Sequence, residues 1–472
     1  MKFKHNHNAL FVVIVVIYLV SQILLIQERA FWRDEAATGM HIFHSFSNIW
    51  EVSKEMAHAP VYYFLLKIWA TAFGYSDGVL SAFSLFLGLI SLLVTFFFSK
   101  NIWGKQGAIT LTAITILHAM FFHYCMEAKQ YMLVYLLSLM VVFISLNILN
   151  KIKTNRDVLF EGLMLSMVYL TGVYTHPWFL IYFAAGAIII NILIFTKINF
   201  SPKLLNILIP LLISAVLSLP ALKLYFNFSE SGATDWINDM TLQYKIATGL
   251  GFLFGKIEIF IILSIFLIGL IQKTNISLIK GTDRTYNILL VAGTFVIGII
   301  LDYFFGNLFY KRYLFIILPP LLYVINDYHV SLISKSRVYF AISLVVFISY
   351  FPVLHYIENE RFKIHRIPMK NEIAAILNES NRKALIATDF YAEYATYAYY
   401  NKISNNKQIT VYPLPYELKE HPGNYENMRI TEDNIRSLIK YFEKNNFNFL
   451  NCSIFGRCNE QLIFSGELLT AQ

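Results

Sequence analysis

Apolar runs long enough to cross about 30 Å of hydrocarbon, which takes roughly 20 helical residues, recur from Ala9 to about residue 356. Hydrocarbon offers no partner for a backbone N–H or C=O, so each crossing segment must close its own hydrogen bonds as a helix. The runs predict about eleven spans, near residues 9–27, 77–99, 107–124, 131–150, 158–175, 178–196, 204–222, 257–272, 285–305, 313–328 and 338–356. Charged residues make up only 14% of the chain, against roughly a quarter in soluble domains. This excludes an ordinary soluble enzyme. From Arg361 onward Lys, Asn, Glu and Asp become frequent and spanning runs cease. The division predicted is a membrane domain over 1–356, whose first outer loop is 28–76, and a small water-soluble domain over 357–472.

The net charge of +8 is topological. Lys2 and Lys4, Lys100 and Lys105, Lys151, Lys153 and Arg156, Lys197 and Lys203, Lys273, Lys280 and Arg284, and Lys335 and Arg337 all fall in alternate loops. The bias of cytoplasmic loops toward Lys and Arg puts these inside, so no nucleic-acid partner is expected. The N-terminus starts cytoplasmic, and its basic start and long apolar core read as a retained first span. Loop 28–76, the turns at Glu127 and His176, loops 223–256 and 306–312, and the C-terminal domain then face outward. Val61 to Phe73 is too short to span and carries Lys67 in its middle. It is expected to lie along the interface as an amphipathic helix.

In the C-terminal domain, "ALIATDF", "QITVYP", "FNFLNCSIF" and "QLIFSG" read as strands. Asn371 to Asn378 and "EDNIRSLIKYFEKN" read as helices, giving a small α/β domain. Three cysteines are too few for a disulfide framework. Cys452 and Cys458 flank a turn and could pair in an oxidising compartment or remain reduced. Lys, Asn and Ile usage points to a bacterial inner (plasma) membrane.

Ionisable groups at membrane depth or at span ends are costly and mark candidate sites. On the outer side these are Asp34 and Glu35 in "FWRDEAATG"; His58, Tyr62 and Tyr63 in "HAPVYY"; Glu127, Lys129 and Tyr131 in "EAKQYM"; His176 in "YTHPW"; and Asp302, Lys311, Arg312 and Tyr313 in "DYFFGNLFYKRY". Each has an ordinary reading taken singly. Adjacent acids after a span are commonly solvated, Lys129 can be a snorkelling anchor, and His58 and His176 can be satisfied loop histidines. Their joint placement on one side raises the functional reading. Outside the cytoplasm there is no pool of nucleotide sugar, so a synthetic enzyme there needs an activated donor delivered through the bilayer, and a polyprenyl-phosphate sugar meets that need. Lys and Arg can neutralise its phosphate as the bond breaks, and a carboxylate can take the proton of an acceptor hydroxyl.

The order of "RDEA", "HAPVYYFLLKIW", "EAKQYML", "THPWFL" and "KRYLFIILPPL" resembles the GT-C glycosyltransferases of the bacterial dolichyl-phosphate-mannose protein mannosyltransferase-like and aminoarabinose-transferase-like families. The resemblance covers roughly residues 10–325. It implies inverting transfer from a polyprenyl-phosphate sugar to a hydroxyl of protein, lipid or glycan. Asp34 would be the base, with Glu35 beside it. Lys129, Arg312 and Lys311 would hold the donor phosphate. His58, Tyr62, Tyr63, Glu127, Tyr131, His176 and Tyr313 would line the sugar or acceptor. Lys129 stands where the family pattern "E-x-R-x-Y" has Arg, which removes a bidentate fork there, and "HAP" replaces "HPP". No His/Asp cluster has metal-ligand spacing, so metal-independent catalysis without cofactor is expected, a reading that chelation would overturn by abolishing activity.

A transporter or lipid-linked glycan flippase would also place charges in an outward cavity. Against it, the charges lie at span ends, and no paired half-repeats are visible in the sequence. A glycan ligase or polymerase shares the topology but uses a different large outer loop.

Overall fold

A computed structural model describes residues 7–56, 59–197, 204–230, 240–254, 281–305, 308–333, 337–365, 384–388, 391–404, 409–413, 448–452 and 458–459. The helices are α1 (His7–Glu28), α2 (Arg33–Ile42), α3 (Phe46–Met56), α4 (Pro60–Phe73), α5 (Asp77–Leu117), α6 (Ala119–Tyr124), α7 (Tyr131–Lys153), α8 (Leu159–Val173), α9 (Trp178–Lys197), α10 (Leu205–Leu217), α11 (Leu219–Glu230) and α12 (Leu242–Phe254). They continue with α13 (Thr282–Phe305), α14 (Leu318–Ile333), α15 (Arg337–His365) and α16 (Tyr391–Ser404).

Among the described residues, seven helices are long and apolar enough to cross a membrane. The chain is a multi-pass membrane protein. Ten of the eleven expected spans fall on these and neighbouring helices, and the eleventh, 257–272, lies outside the described residues. The expected second and third spans fall on α5 and α6, and α5 is two helices that meet at a non-helical residue, Gly104. Gly104 breaks the run with φ 69°, a left-handed value that only a residue without Cβ takes without strain.

Two compact units cut across the sequence: one comprises 1–25, 58–62 and 81–358, the other 26–57, 63–80 and 359–472. In the first unit α7 is buried along nearly its whole length and forms the centre. Helix α8 packs on α10 and α7, α9 packs on α13, and α14 packs on α13 and α7. Small residues permit this close approach without a hydrophobic drive between helices. A Cβ at Gly162 on α8 would overlap the Asn206 carbonyl oxygen of α10.

One end of this unit carries ion pairs of the lysine- and arginine-rich loops. Lys151 meets Glu161 at 2.6 Å and Lys153 meets Asp283 at 3.3 Å, while Arg284 pairs with Asp327, which also accepts the Trp103 indole N–H at 2.9 Å. Glu161 therefore balances a loop lysine and builds no relay. The candidate residues of the first unit sit at the opposite ends of these same helices.

At that opposite end a 3₁₀ helix, Lys311–Ile317, precedes α14. Pro319 and Pro320 lack the N–H groups that α-helical pairing with Phe315 and Ile316 would need. The Ile316 carbonyl instead accepts the Ser138 hydroxyl of α7 at 2.6 Å. This fixes where "KRY" leaves the helix.

In the second unit, strands β1 (Ala384–Thr388), β2 (Ile409–Pro413), β3 (Asn448–Cys452) and β4 (Cys458–Asn459) form one sheet in the order β2-β1-β3-β4. The β1 pairings are parallel and β3 with β4 is antiparallel, with Cys452 and Cys458 directly opposite in register. Three expected strands are present, joined by α16, a helix the sequence did not announce. The "QLIFSG" strand and the two expected helices lie outside the described residues. Helix α16 packs on α2, so the segment that follows the first span and the C-terminal domain share one core. Phe31 stacks on Tyr399 at 5.1 Å, and its N–H donates to the Tyr400 hydroxyl at 2.8 Å.

Candidate active site: a loop carboxylate and a cationic, aromatic helix end

Each unit carries part of the predicted set. In the second unit, α2 starts at "RDEA", where the unpaired N–H groups and the helix dipole favour carboxylates. The two neighbouring acids meet different surroundings. Glu35 is wholly buried and ion-paired with Arg29, itself only 1% exposed, and its second oxygen accepts the Trp32 N–H at 3.4 Å. Asp34 is half-buried, and its backbone oxygen accepts the Thr38 hydroxyl at 2.9 Å. Sequence reasoning grouped the pair as catalytic. The structure ties Glu35 to Arg29 at the start of α2, and Asp34 is the more accessible of the two.

Tyr63, on α4, is buried against this helix and interacts with Thr38 and Asp34. Burial pushes its phenol above the ordinary value, the Thr38 hydroxyl opposes this, and the Asp34 charge adds to it. Tyr63 therefore remains a neutral hydroxyl. Its ring lies 4.4 Å from that of His41. Thr38 and His41 follow Asp34 at helical spacing, a signal legible in "DEAATGMH" once α2 is known to be a helix.

A cationic flank adjoins this helix. Lys67 of α4 donates to the Ile42 carbonyl at 3.0 Å, at the end of α2, and Lys402 lies 4.4 Å over the Phe43 ring. Burial first, and then Lys402 and Lys67, hold the His44 imidazole below its ordinary value.

In the first unit, Tyr131 opens α7 and is contacted by Arg312, whose guanidinium lies 3.5 Å from its hydroxyl and 4.9 Å over the Tyr310 ring. His176 joins the same group, 5.0 Å from the Tyr313 ring and 6.2 Å from that of Tyr131. Its Nδ1 accepts the Trp178 N–H at 3.2 Å, which leaves the proton on Nε2. Glu127 and Lys129 are buried in the turn before α7, and Lys311 is half-buried at the start of the 3₁₀ helix. Three segments distant in sequence, at residues 127–131, 176 and 310–313, thus meet around Tyr131.

The "HAPVYY" loop docks here through the Val61 N–H, which donates to the Tyr174 carbonyl at 3.1 Å. Tyr62 is fully buried against Phe83. His58 lies outside the described residues.

Asp302 holds the loop that delivers Arg312. Its buried carboxylate accepts Lys245 on both oxygens, at 3.1 and 2.8 Å, and the N–H groups of Leu308 and Phe309 at 2.9 and 2.8 Å. Lys245, on α12, escaped the sequence reading because its partner is 57 residues away. Asp302→Ala removes four contacts and strands a buried ammonium, a change expected to cost about 3–5 kcal/mol. Thermal aggregation of the detergent-purified protein should fall by several degrees, and an unchanged midpoint would show that the loop is held otherwise.

A second missed residue is His123, between two buried carboxylates: Nε2 is 3.0 Å from Glu127 and Nδ1 is 2.9 Å from Glu358. No sequence signal marks it, since Glu358 lies 235 residues on. Among the described residues no group of three or more His, Cys, Asp or Glu forms a metal-binding cluster.

No protein-family model and no curated protein sequence matches the chain. Its structure superposes on crystal structures of ArnT from Cupriavidus metallidurans, one in the apo state and one bound to undecaprenyl phosphate. In both cases the TM-score is 0.58 at 10% identity, over 94% of this chain and 92% of ArnT. The chain therefore has the GT-C fold, as its motif order implied.

Proposed function

We propose that this protein is an inverting glycosyltransferase that moves a sugar from a polyprenyl-phosphate carrier to an acceptor hydroxyl at the outer face of a bacterial inner membrane. The observation that carries the reading is the cationic, aromatic cluster around Tyr131 and Arg312, set at the end of the helices opposite the lysine- and arginine-rich loops, in the fold of a protein that binds undecaprenyl phosphate. The N-terminus is cytoplasmic and the segment after residue 357 faces outward in this orientation.

The chemistry follows from the side chains. The acceptor oxygen attacks the anomeric carbon as the bond from that carbon to the phosphate oxygen breaks, and Asp34 takes the hydroxyl proton. Negative charge grows on the leaving phosphate. Arg312 meets it with a planar fork, Lys129 with a point charge and Lys311 as a further cation. Tyr131, Tyr313 and His176 offer ring faces and polar edges to the sugar, and Tyr62, Tyr63 and His58 belong to the acceptor side.

Turnover of a polyprenyl-phosphate sugar by the purified protein is the direct test, with glycan mass spectrometry of cells with and without the gene to identify the acceptor. Lys129→Ala is expected to raise the KM for donor roughly 10- to 100-fold, the loss of one hydrogen bond to a charged group. Lys129→Arg should keep the donor KM near the parent value. A donor KM unmoved by Lys129→Ala would remove Lys129 from the phosphate site.

A further inference from the structure

We propose that Lys67 and Lys402 form a headgroup site for an anionic membrane phospholipid, whose hydrocarbon lies against the exposed apolar faces of α3 and α4. Every residue involved belongs to the second unit.

Helical spacing puts an apolar stripe on each of the two helices. Phe46 and Trp50 are four residues apart in α3, and Leu65 and Ile68 are three apart in α4, so each pair shares a helix face. All four are 36–57% exposed. The Phe46 and Phe64 rings lie 5.8 Å apart, which brings the two stripes side by side. Large apolar side chains turned outward in neighbouring rows are what an interfacial helix offers to lipid.

Two cations border this surface. The Lys67 ammonium donates to the Ile42 carbonyl at 3.0 Å and lies 5.5 Å from the centre of the Phe46 ring. Lys402, on α16, lies 4.4 Å over the Phe43 ring, three residues before Phe46. Neither lysine has a carboxylate partner among the described residues. They are close enough to repel: desolvation first, and then the Lys67 charge, hold the Lys402 ammonium below its ordinary value. His44 interacts with both, and burial together with their charges keeps it neutral at pH 7, so it adds no third cation.

A phospholipid answers both halves of this arrangement at once. Its phosphate supplies the missing negative charge where hydrocarbon gives way to water, and lysine, a point charge on a flexible stem, suits a headgroup that has no fixed orientation. Its chains cover the four apolar side chains. A free anion would use the lysines and leave the apolar stripes bare. A zwitterionic lipid carries its own cation beside the phosphate, so a lipid of net negative charge is favoured. With Lys67 on α4 and Lys402 on α16, one headgroup also ties the C-terminal domain to the membrane surface.

The full-length protein in phosphatidylcholine nanodiscs tests this, with rising mole fractions of brominated phosphatidylglycerol or of brominated phosphatidylcholine. Bromine quenches a nearby indole, and the Trp50 share of the emission is the difference between the parent and Trp50→Phe. One lysine beside an anionic lipid favours it about fivefold. Half-quenching of Trp50 should therefore need at least about fivefold less brominated phosphatidylglycerol than brominated phosphatidylcholine, and Lys67→Gln with Lys402→Gln should bring the two lipids within about twofold. Equal quenching in the parent, a Trp50 that neither lipid quenches, or a preference that the double variant retains overturns the proposal. Should the double variant fail to fold, Lys402→Gln at its exposed position decides together with salt, which shortens the Debye length below about 8 Å above physiological strength. Each should remove most of the preference, and a preference unmoved by both overturns the proposal. Inorganic phosphate, set against chloride at equal ionic strength, separates the sources: an unchanged preference supports a lipid site, and an abolished one shows a site for free anions and overturns it.

Discussion

Asp34→Asn is expected to lower the turnover number for sugar transfer by about 10²- to 10⁴-fold, the usual contribution of a positioned general base. Asn matches the carboxylate in size and still accepts a hydrogen bond, but it cannot take the acceptor proton. The fold has little reason to respond. The start of α2 is held by the buried Arg29–Glu35 pair, and the preceding segment is held by Phe31 on Tyr399 and Tyr400. The Thr38 hydroxyl bonds to the Asp34 backbone oxygen, which the substitution leaves intact. Membrane abundance and thermal aggregation should therefore match the parent, and the donor KM should move little, because the proposed phosphate ligands are Lys129 and Arg312. Turnover within a few-fold of the parent would take the base away from Asp34. It would also revive a transport or flipping activity, which has no proton to abstract there.

The helical membrane architecture is legible because hydropathy reports it directly, and the break at Gly104 is foreshadowed by "SKNIWGKQG". The motif order carried the fold. Less legible is whatever depends on partners far along the chain. Helix α16, "YAEYATYAYYNKIS", shows no clean apolar stripe because its tyrosines are used on aromatic and polar partners: Tyr399 on Phe31 and the Tyr75 carbonyl, Tyr400 on Asp77 and the Phe31 N–H. Its packing on α2 ties the segment after the first span to a domain more than 300 residues later. In the same way, "ERAFWRDEA" offers two arginines for three acids, and only the fold shows that Arg29 pairs with Glu35. Asp302 was visible as an acid at a span end, whereas its role as acceptor for two loop N–H groups required the turn geometry.

Arg29→Leu is expected to destabilise the second unit by about 3–5 kcal/mol, because it leaves an ionised carboxylate buried without its counter-charge. Arg29 is 1% exposed and Glu35 is 0% exposed, so water cannot take the place of either partner. Losses of this size are a large fraction of the roughly 5–15 kcal/mol that holds a typical domain together. The loss should extend past α2, since Phe31, two residues from Arg29, carries the contacts to α16. Glu35→Gln should be destabilising as well: it preserves shape and an acceptor for the Trp32 N–H but leaves the guanidinium uncompensated. The double change Arg29→Met with Glu35→Leu removes both charges at similar volume and should recover most of the loss, since a buried pair costs heavily to desolvate. Thermal aggregation and limited proteolysis of the purified protein read all three variants. If Glu35→Gln keeps the parent's thermal midpoint yet abolishes turnover, the assignment reverses: Glu35 is then the reacting carboxylate and Arg29 its positioning partner. A destabilised Glu35→Gln with residual turnover, set beside a stable and inactive Asp34→Asn, assigns structure to one acid and chemistry to its neighbour.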